Sequence, residues 1–286
     1  MYIEIGKLPE FLRHDPDELG QMADTLAGSL EEFFRQSGYG TAVVALSGGL
    51  DSAVSLALAV RALGPEKVVA IRMPFRDLNA ESMGVASEVA DSVGLPDSNL
   101  KTVDVTRAVE KAWTGMEPAF PVRDDREKGL RIGNLAARIR MSVLMDAGTS
   151  LGALAVGTEN RTEQVMAYFT IGGDNISNVE PIQSLWKTEV FQIAAHLGLP
   201  DSVLDRAPSA ELWSGQTDEG EIGVSYAVID MILCCFELGL NKSDIVGRYG
   251  VDPKDYDDVL RRAGRVMGKR HAPSRINYGR LLVKLT

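Results

Sequence analysis

Thr41-Ala-Val-Val-Ala-Leu46 leads without interruption into Ser47-Gly-Gly-Leu-Asp-Ser52, and from Asp51 to Leu63 the chain carries apolar side chains almost all round. A short apolar run that ends on two glycines and opens into an all-round apolar stretch predicts a buried strand, a tight turn and a helix laid against the sheet. The unit recurs downstream. Residues 67–73, 100–105 and 152–157 read as further strands, with helices over 80–93 and about 129–147 between them. Strands that alternate with helices of this length pair in parallel through right-handed crossovers and carry helices on both faces. The fold class is therefore α/β, a doubly wound parallel sheet, and ligands of such sheets sit at the carboxyl ends of the strands. Helical patterns over 187–197, 225–238, 242–249 and 253–267 add a helical C-terminal extension. Near the start, Leu19, Met22, Leu26, Leu30, Phe33 and Phe34 share helical spacing and predict a helix packing its stripe on the sheet. No repeat or linker divides residues 1–286, which read as one domain.

With 45% hydrophobic and 24% charged residues the composition is that of a globular protein, which excludes a disordered, collagenous or disulfide-scaffold chain. At this mass roughly three-quarters of the chain's surface can be buried, so the core needs no staples. Forty acidic against 30 basic residues give a net charge of −10, which argues against nucleic acid and anionic membranes as partners. The charge is uneven: Arg261 to Thr286 holds eight basic residues and no acid, leaving 22 bases against 40 acids before it, a −18 body with a +8 tail. Cys234 and Cys235 are adjacent inside an apolar run, a spacing that suits neither a disulfide between them nor a metal, and read as core thiols. No apolar stretch reaches the ~20 residues of a membrane span and the N-terminus lacks a signal pattern, so a soluble cytoplasmic protein is expected.

The glycine turn also carries the chemistry. Glycines let backbone N–H groups turn inward, the helix start adds positive dipole, and Ser47 and Ser52 add hydroxyls, which together make a phosphate cradle. A carboxylate at Asp51 is out of place for an anion alone, but it suits an anion that arrives with Mg²⁺, whose oxygen ligands include one or two carboxylates plus phosphate. The plain alternative is a tight strand-to-helix turn in which Asp51 and Ser52 complement the first helical turn. The lysine and spacing of a Walker loop are missing, so transfer of a γ-phosphate is not the first expectation.

Ser47-Gly-Gly-Leu-Asp-Ser52 after a first strand resembles the pyrophosphate loop of the ATP pyrophosphatases, which split ATP into AMP and pyrophosphate while adenylating an acceptor. Within that adenine-nucleotide alpha-hydrolase-like group, Gly133-Asn-Leu-Ala-Ala-Arg-Ile-Arg-Met141, Gly157-Thr-Glu-Asn-Arg-Thr-Glu163, Pro208-Ser-Ala-Glu-Leu212, Gln216-Thr-Asp-Glu219 and Gly223-Val-Ser-Tyr226 follow the order and spacing of NAD synthetase, over about residues 17–275. The resemblance implies ATP-dependent amidation of deamido-NAD to NAD with ammonia, through an adenylated carboxylate. It implies that Ala45, Leu46, Ser47, Gly48, Gly49, Leu50, Asp51 and Ser52 hold the ATP phosphates, and that Thr158, Lys187 and Ser209 also contact ATP. Asp51 and Glu163 would bind Mg²⁺, while Asp51, Lys187 and Ser209 would serve catalysis. Asn134, Arg138, Asp174 and Lys269 would meet the dinucleotide. Arg131 and Arg140 read as surface or salt-bridge groups elsewhere on the 134–138 helix. A homodimer is implied, with that helix near its interface. The chain is too short for the glutamine-hydrolysing domain of the glutamine-dependent members, so free ammonia or a separate supplying subunit is implied.

Two positions after Thr170 depart from the family pattern. Ile171 stands where the family carries a lysine and Asn178 where it carries an acid, both assigned to the deamido-NAD pocket, and only Asp174 is kept. Near the C-terminus a His-Lys pair becomes Gly268-Lys269. Arg206, Arg270 and Arg275 are candidates for a replacement cation. A different carboxylate acceptor, or nucleotide binding without catalysis, therefore stand as alternatives.

Overall fold

The computed structural model describes residues 2–76, 80–209 and 215–265. Lys269, Arg270, Arg275, most of the basic tail and residues 210–212 of the Pro208 motif lie outside that description.

After α1 (Pro16–Ser37) come β1 (Ala42–Ala45), α2 (Leu50–Leu63), β2 (Val68–Arg72), α3 (Ala80–Ser92), β3 (Leu100–Thr102), α4 (Thr106–Met116), α5 (Asp125–Leu151) and β4 (Leu154–Val156). The helical half follows as α6 (Arg161–Met166), α7 (Lys187–His196), α8 (Asp201–Leu204), α9 (Asp218–Ile222), α10 (Tyr226–Glu237), α11 (Lys242–Tyr249) and α12 (Pro253–Arg265). The strands pair in parallel in the order β3-β2-β1-β4. The chain builds outward from β1 through β2 to β3, then returns through α4 and α5 to place β4 on the other side of β1. That reversal leaves a crevice at the carboxyl ends of β1 and β4, the position where open α/β sheets bind ligands.

The period of two along a strand divides the core between the faces. In β1, Ala42 and Val44 join the larger cluster with α1, α2, α7 and α10, while Val43 joins the smaller one with α4 and α5. Near-continuous burial of β1 and β2 follows from helices covering both sides. Helix α1 buries Leu19, Leu30 and Phe34 of its predicted stripe, and Asp15 caps its start together with Glu18 in a reciprocal box. Helix α5 runs four residues beyond each end of the expected 129–147, because Asp124 caps its first turn and Gly152 ends it in the left-handed conformation. Cys235 is buried and Cys234 partly so; burial raises both thiols, Cys234 to about 11, which leaves them as unreactive packing groups.

Gly48 has φ +86°, and a Cβ there would lie 2.3 Å from the carbonyl oxygen of Ser82. Gly38 has φ +75° with nothing within 4 Å. Gly38→Ala is therefore expected to cost about 1 kcal/mol, the backbone penalty alone. Gly48→Ala should cost at least about 2 kcal/mol, since strain and a backbone collision add. Urea denaturation of the two variants measures the difference, and equal losses would refute the close approach at Ser82.

Candidate active site

The turn between β1 and α2 is knitted by its own serines. Gly49 N–H donates to Ser47 Oγ at 3.1 Å, the two hydroxyls lie 3.1 Å apart, and Ser52 Oγ also reaches the carbonyl of Gly49 at 2.9 Å. The hydroxyls read from sequence as phosphate partners thus hold the ends of the loop together, while Ser47 and Ser52 still face the cleft. Helix α2 starts at Gly49 without a side-chain cap, which leaves its first-turn dipole directed at the crevice.

Across the crevice, β4 is followed by Gly157-Thr158. A Cβ on Gly157 would lie 2.0 Å from Glu180 Oε1, so only glycine lets the Glu180 carboxyl pass beneath the chain. Glu180 accepts from Glu159 N–H at 3.0 Å and from Ser177 Oγ at 2.7 Å, and burial pushes its carboxyl up to about 7. Asn160 then opens α6: its Oδ1 accepts from Glu163 N–H, and Glu163 reaches back to the N–H of Asn160. This capping box aims both residues at the cleft, where Asn160 Nδ2 donates to Asp51 Oδ1 at 2.8 Å.

Lys187, the first residue of α7, completes the cluster. Its Nζ lies 2.5 Å from Asp51 Oδ2 and 3.1 Å from Glu163 Oε1, and the residue is 1% exposed. Burial alone would lower the lysine, but the two carboxylates outweigh it and hold it above its ordinary value. Burial raises Glu163 well above the usual carboxylate range, against the pull of Lys187, and Asp51 adds to the rise. Asp218 stands behind, accepting from Tyr168 and Tyr226 hydroxyls at 3.1 Å each, and is also raised by burial. Three acids thus share one ammonium. Among the described residues no three acidic, histidine or cysteine side chains are arranged to hold a metal by themselves. The donor set fits a magnesium ion that arrives on a polyphosphate, with Asp51 and Glu163 supplying the protein's oxygens and the cation offsetting the excess charge.

Ala45, Leu46, Ser47, Gly49, Leu50, Asp51 and Ser52 line one cleft with Thr158, Glu163, Asp174, Lys187 and Ser209. Gly48 sits behind the loop against Ser82. Ser209 Oγ donates to the carbonyl of Gln216, and Asp218 N–H to that of Pro208, which joins the two ends of the 208–218 segment. Asn134 and Arg138 share a helix face as their spacing predicts, but they meet the 170–174 turn: Thr170 Oγ1 donates to Asn134 Oδ1, and Arg138 Nε donates to the carbonyl of Ile171. Asp174 accepts from Thr170 N–H at 2.6 Å and connects that turn to the cleft. Asn178 is spent on the sheet: its Oδ1 accepts from Ala155 N–H at 2.8 Å while its own N–H donates back. An aspartate oxygen could accept the same bond, so the departure removes a charge and keeps the contact.

One expectation is corrected. Arg140 is not a peripheral group: it lines the cleft and donates from Nε to the carbonyl of Met73, because position 140 turns toward the end of β2. Arg131 does brace α5 on α4, donating to the carbonyl of Phe120 and stacking over Trp113. Asn160, Asp218 and Tyr226 lie in the family motifs without a role assigned to them there, and Tyr168 lies outside those motifs. Only Asn160 carried a signal of its own, the Asn-x-x-Glu capping pattern.

A parallel sheet with a glycine turn after β1, at the crevice where strand order reverses, defines an α/β fold of the ATP-pyrophosphatase type. The family model for NAD synthase matches residues 22–273. Ammonia-dependent NAD synthetases of Chlorobium phaeobacteroides strain BS1 and Methanopyrus kandleri are 37% and 39% identical to this chain, each over 87% of it and 86% of their own length. The chain belongs to the NAD synthase family. Among solved structures it resembles the NMN synthetase of Francisella tularensis (TM-score 0.78, 29% identity, 93% of this chain and all of that one). It also resembles the ammonia-dependent NAD synthetase of Campylobacter jejuni (TM-score 0.72, 25% identity, 91% and 99%).

Lys187→Met removes the ammonium and leaves the carboxylates facing one another in a buried site. A loss of about 3–5 kcal/mol is expected near pH 8. Unpaired, desolvated acids have folded pKa values above their unfolded ones, so stability falls as pH rises through that interval. The deficit should therefore shrink toward pH 5, where the acids take up protons. Thermal melts of wild type and variant across that range provide the check, and a deficit independent of pH would contradict the cluster.

Proposed function

We propose that the protein is an ammonia-dependent NAD synthetase that converts deamido-NAD to NAD with MgATP. The observation that carries the reading is the meeting of Asp51, Glu163 and Lys187 beside the β1–α2 phosphate turn, in a chain of this family. A carboxylate resists attack by ammonia because its charge repels a nucleophile and oxide is a poor leaving group. Adenylation removes both obstacles. The nicotinate carboxylate oxygen attacks the α-phosphorus of ATP and pyrophosphate leaves. Ammonia then attacks the carbonyl carbon, AMP leaves, and the nitrogen loses a proton as the amide forms.

The protein's share is positioning and charge. The β1–α2 turn from Ala45 to Ser52 holds the phosphates, with Thr158 and Ser209 supplying hydroxyls from the opposite wall. Lys187 provides fixed positive charge where the departing pyrophosphate gathers negative charge, and its burial keeps water from weakening that attraction. Arg140 and Arg206 line the same cleft and add cations. When bound, Mg²⁺ neutralises phosphate oxygens and would be held by Asp51 and Glu163. Asp174 orients the acceptor from the turn that Asn134 and Arg138 brace, and Lys269 belongs to the dinucleotide end. A homodimer goes with this reading, supported by the exposed Met116, Phe120 and Leu130 around the α4–α5 junction, as does a cytoplasmic location. No described helix is long and apolar enough to cross a membrane.

A second acceptor is favoured by one position. Ile171 is 53% exposed and apolar where the family pattern has a lysine, so a cation is missing on the acceptor side. That suits a smaller acceptor with less charge to neutralise, such as the carboxylate form of NMN.

Incubation with MgATP, ammonium and equal amounts of the two carboxylates separates the readings by chromatography. AMP with NAD is expected; AMP with NMN would favour the second acceptor; ADP would overturn both. Asp51→Asn should keep the fold by circular dichroism and lose at least about a thousandfold in kcat, about 4 kcal/mol of transition-state stabilisation.

A further inference from the structure

Asp230 lies on α10, is fully buried, and takes no part in the steps above. Its Oδ1 accepts from Thr162 Oγ1 at 2.6 Å and its Oδ2 from Thr188 N–H at 2.8 Å. Thr162 Oγ1 in turn accepts from the backbone N–H of Lys187 at 2.9 Å. Thr162 and Thr188 are the second residues of α6 and α7, and they are the chain neighbours of Glu163 and Lys187. One carboxylate therefore fastens the first turns of two helices, each immediately beside a residue of the metal and nucleotide cluster.

The placement has an electrostatic reason. The start of α7 brings its first N–H groups and positive dipole end to this point, Thr188 N–H donating to Asp230 directly and Lys187 N–H to the hydroxyl that Thr162 of α6 turns toward the same carboxylate. The core exacts a cost for it, since burial pushes the Asp230 carboxyl up to about 7, with Glu189 the nearby charge that adds to the rise. An apolar residue would fill the space more cheaply, but it could not join α6 to α7.

We propose that Asp230 is a positioning residue for MgATP: by fastening Thr162 to Thr188 it fixes the separation of Glu163 and Lys187, and so the shape of the magnesium-nucleotide site. The proposal rests on the reading of the cleft as a MgATP site, and it does not depend on which carboxylate is the acceptor.

The test compares Asp230→Ala, Asp230→Asn and Thr162→Val in the full-length protein. Asparagine keeps the shape and one acceptor oxygen for Thr188 N–H, and its amide can donate to Thr162 Oγ1. Valine at 162 removes the hydroxyl and leaves the carboxylate, which keeps the test open if Asp230→Ala fails to fold. Binding of a fluorescent ATP analogue is titrated against Mg²⁺, beside thermal melts and steady-state kinetics. For Asp230→Ala the Mg²⁺ concentration at half-saturation should rise about tenfold and kcat should fall about 10–100-fold, while KM for ammonia moves less than about twofold. Asp230→Asn should recover most of both losses, and Thr162→Val should shift them in the same direction. Folded variants that lower the melting temperature but bind MgATP and turn over like wild type would reduce Asp230 to a core residue and overturn the proposal. Because the titration needs no acceptor, its result holds even if the amidated carboxylate proves to be another one.

Discussion

The ammonium of Lys187, held between Asp51 and Glu163, is the constraint on which the site depends. The three residues come from the starts of α2, α6 and α7, and no local preference of the chain would bring them together. Burying an ammonium with no partner would cost several kcal/mol, and burying two adjacent carboxylates with none would cost more. Together they are tolerable, and the chain must bring the three helix starts to one point to make them so. The arrangement still leaves an excess of negative charge, with Asp218 behind. An excess of buried charge at the mouth of a phosphate turn suits a cation-bearing ligand better than it suits an empty core.

The sheet makes that meeting possible. Because β4 lies on the side of β1 opposite β2, the turn after β1 and the turn after β4 face each other across a crevice that neither would form alone. The first supplies the cradle and Asp51; the second supplies Thr158, Asn160 and Glu163. Behind them lie two carboxyls that do not line the cleft. Glu180 supports the chain at Gly157, and Asp230 joins α6 to α7. The site is thus built in two layers of acids, the inner one lining the cleft and the outer one joining a backbone N–H to a hydroxyl from another segment.

The fold was legible because its signals are local. Period and glycine placement at 41–52 predicted β1, the turn and α2, and the apolar runs at 67–73, 100–105 and 152–157 located the remaining strands. Strand order was not legible, since it follows from where the α4–α5 return crosses the sheet and not from any one segment. In the site, Asp51, Glu163 and Lys187 could be named through matched motifs, yet an acid and a lysine alone would read as solvated surface. Arg140 was misplaced because helical periodicity tells which residues share a face, not what that face meets; here it meets the end of β2. Asp218 and Asp230 sit in runs that look like an acidic cap and a core helix, and their meaning depends on Tyr168, Tyr226, Thr162 and Thr188, which arrive from elsewhere in the chain. Ser47 and Ser52 read from sequence as phosphate partners, and in the structure each hydroxyl holds the loop while still lining the cleft.

The way the site is stitched from distant segments also bears on the order in which the molecule can be assembled. The Lys187–Asp51 contact spans 136 residues, and the hydroxyl of Tyr2 reaches Glu219 across 217. Contacts that far apart close large loops before they return any stabilisation, which places them late in folding. During synthesis the phosphate turn leaves the ribosome long before α7 and α10 exist, so the nascent protein carries a cradle without its lysine or the carboxylate that braces it. Nucleotide can therefore give little help to the early stages of folding. On the proposed reading of the cleft, nucleotide stabilises only the finished molecule, and its binding reports that the last helices have docked.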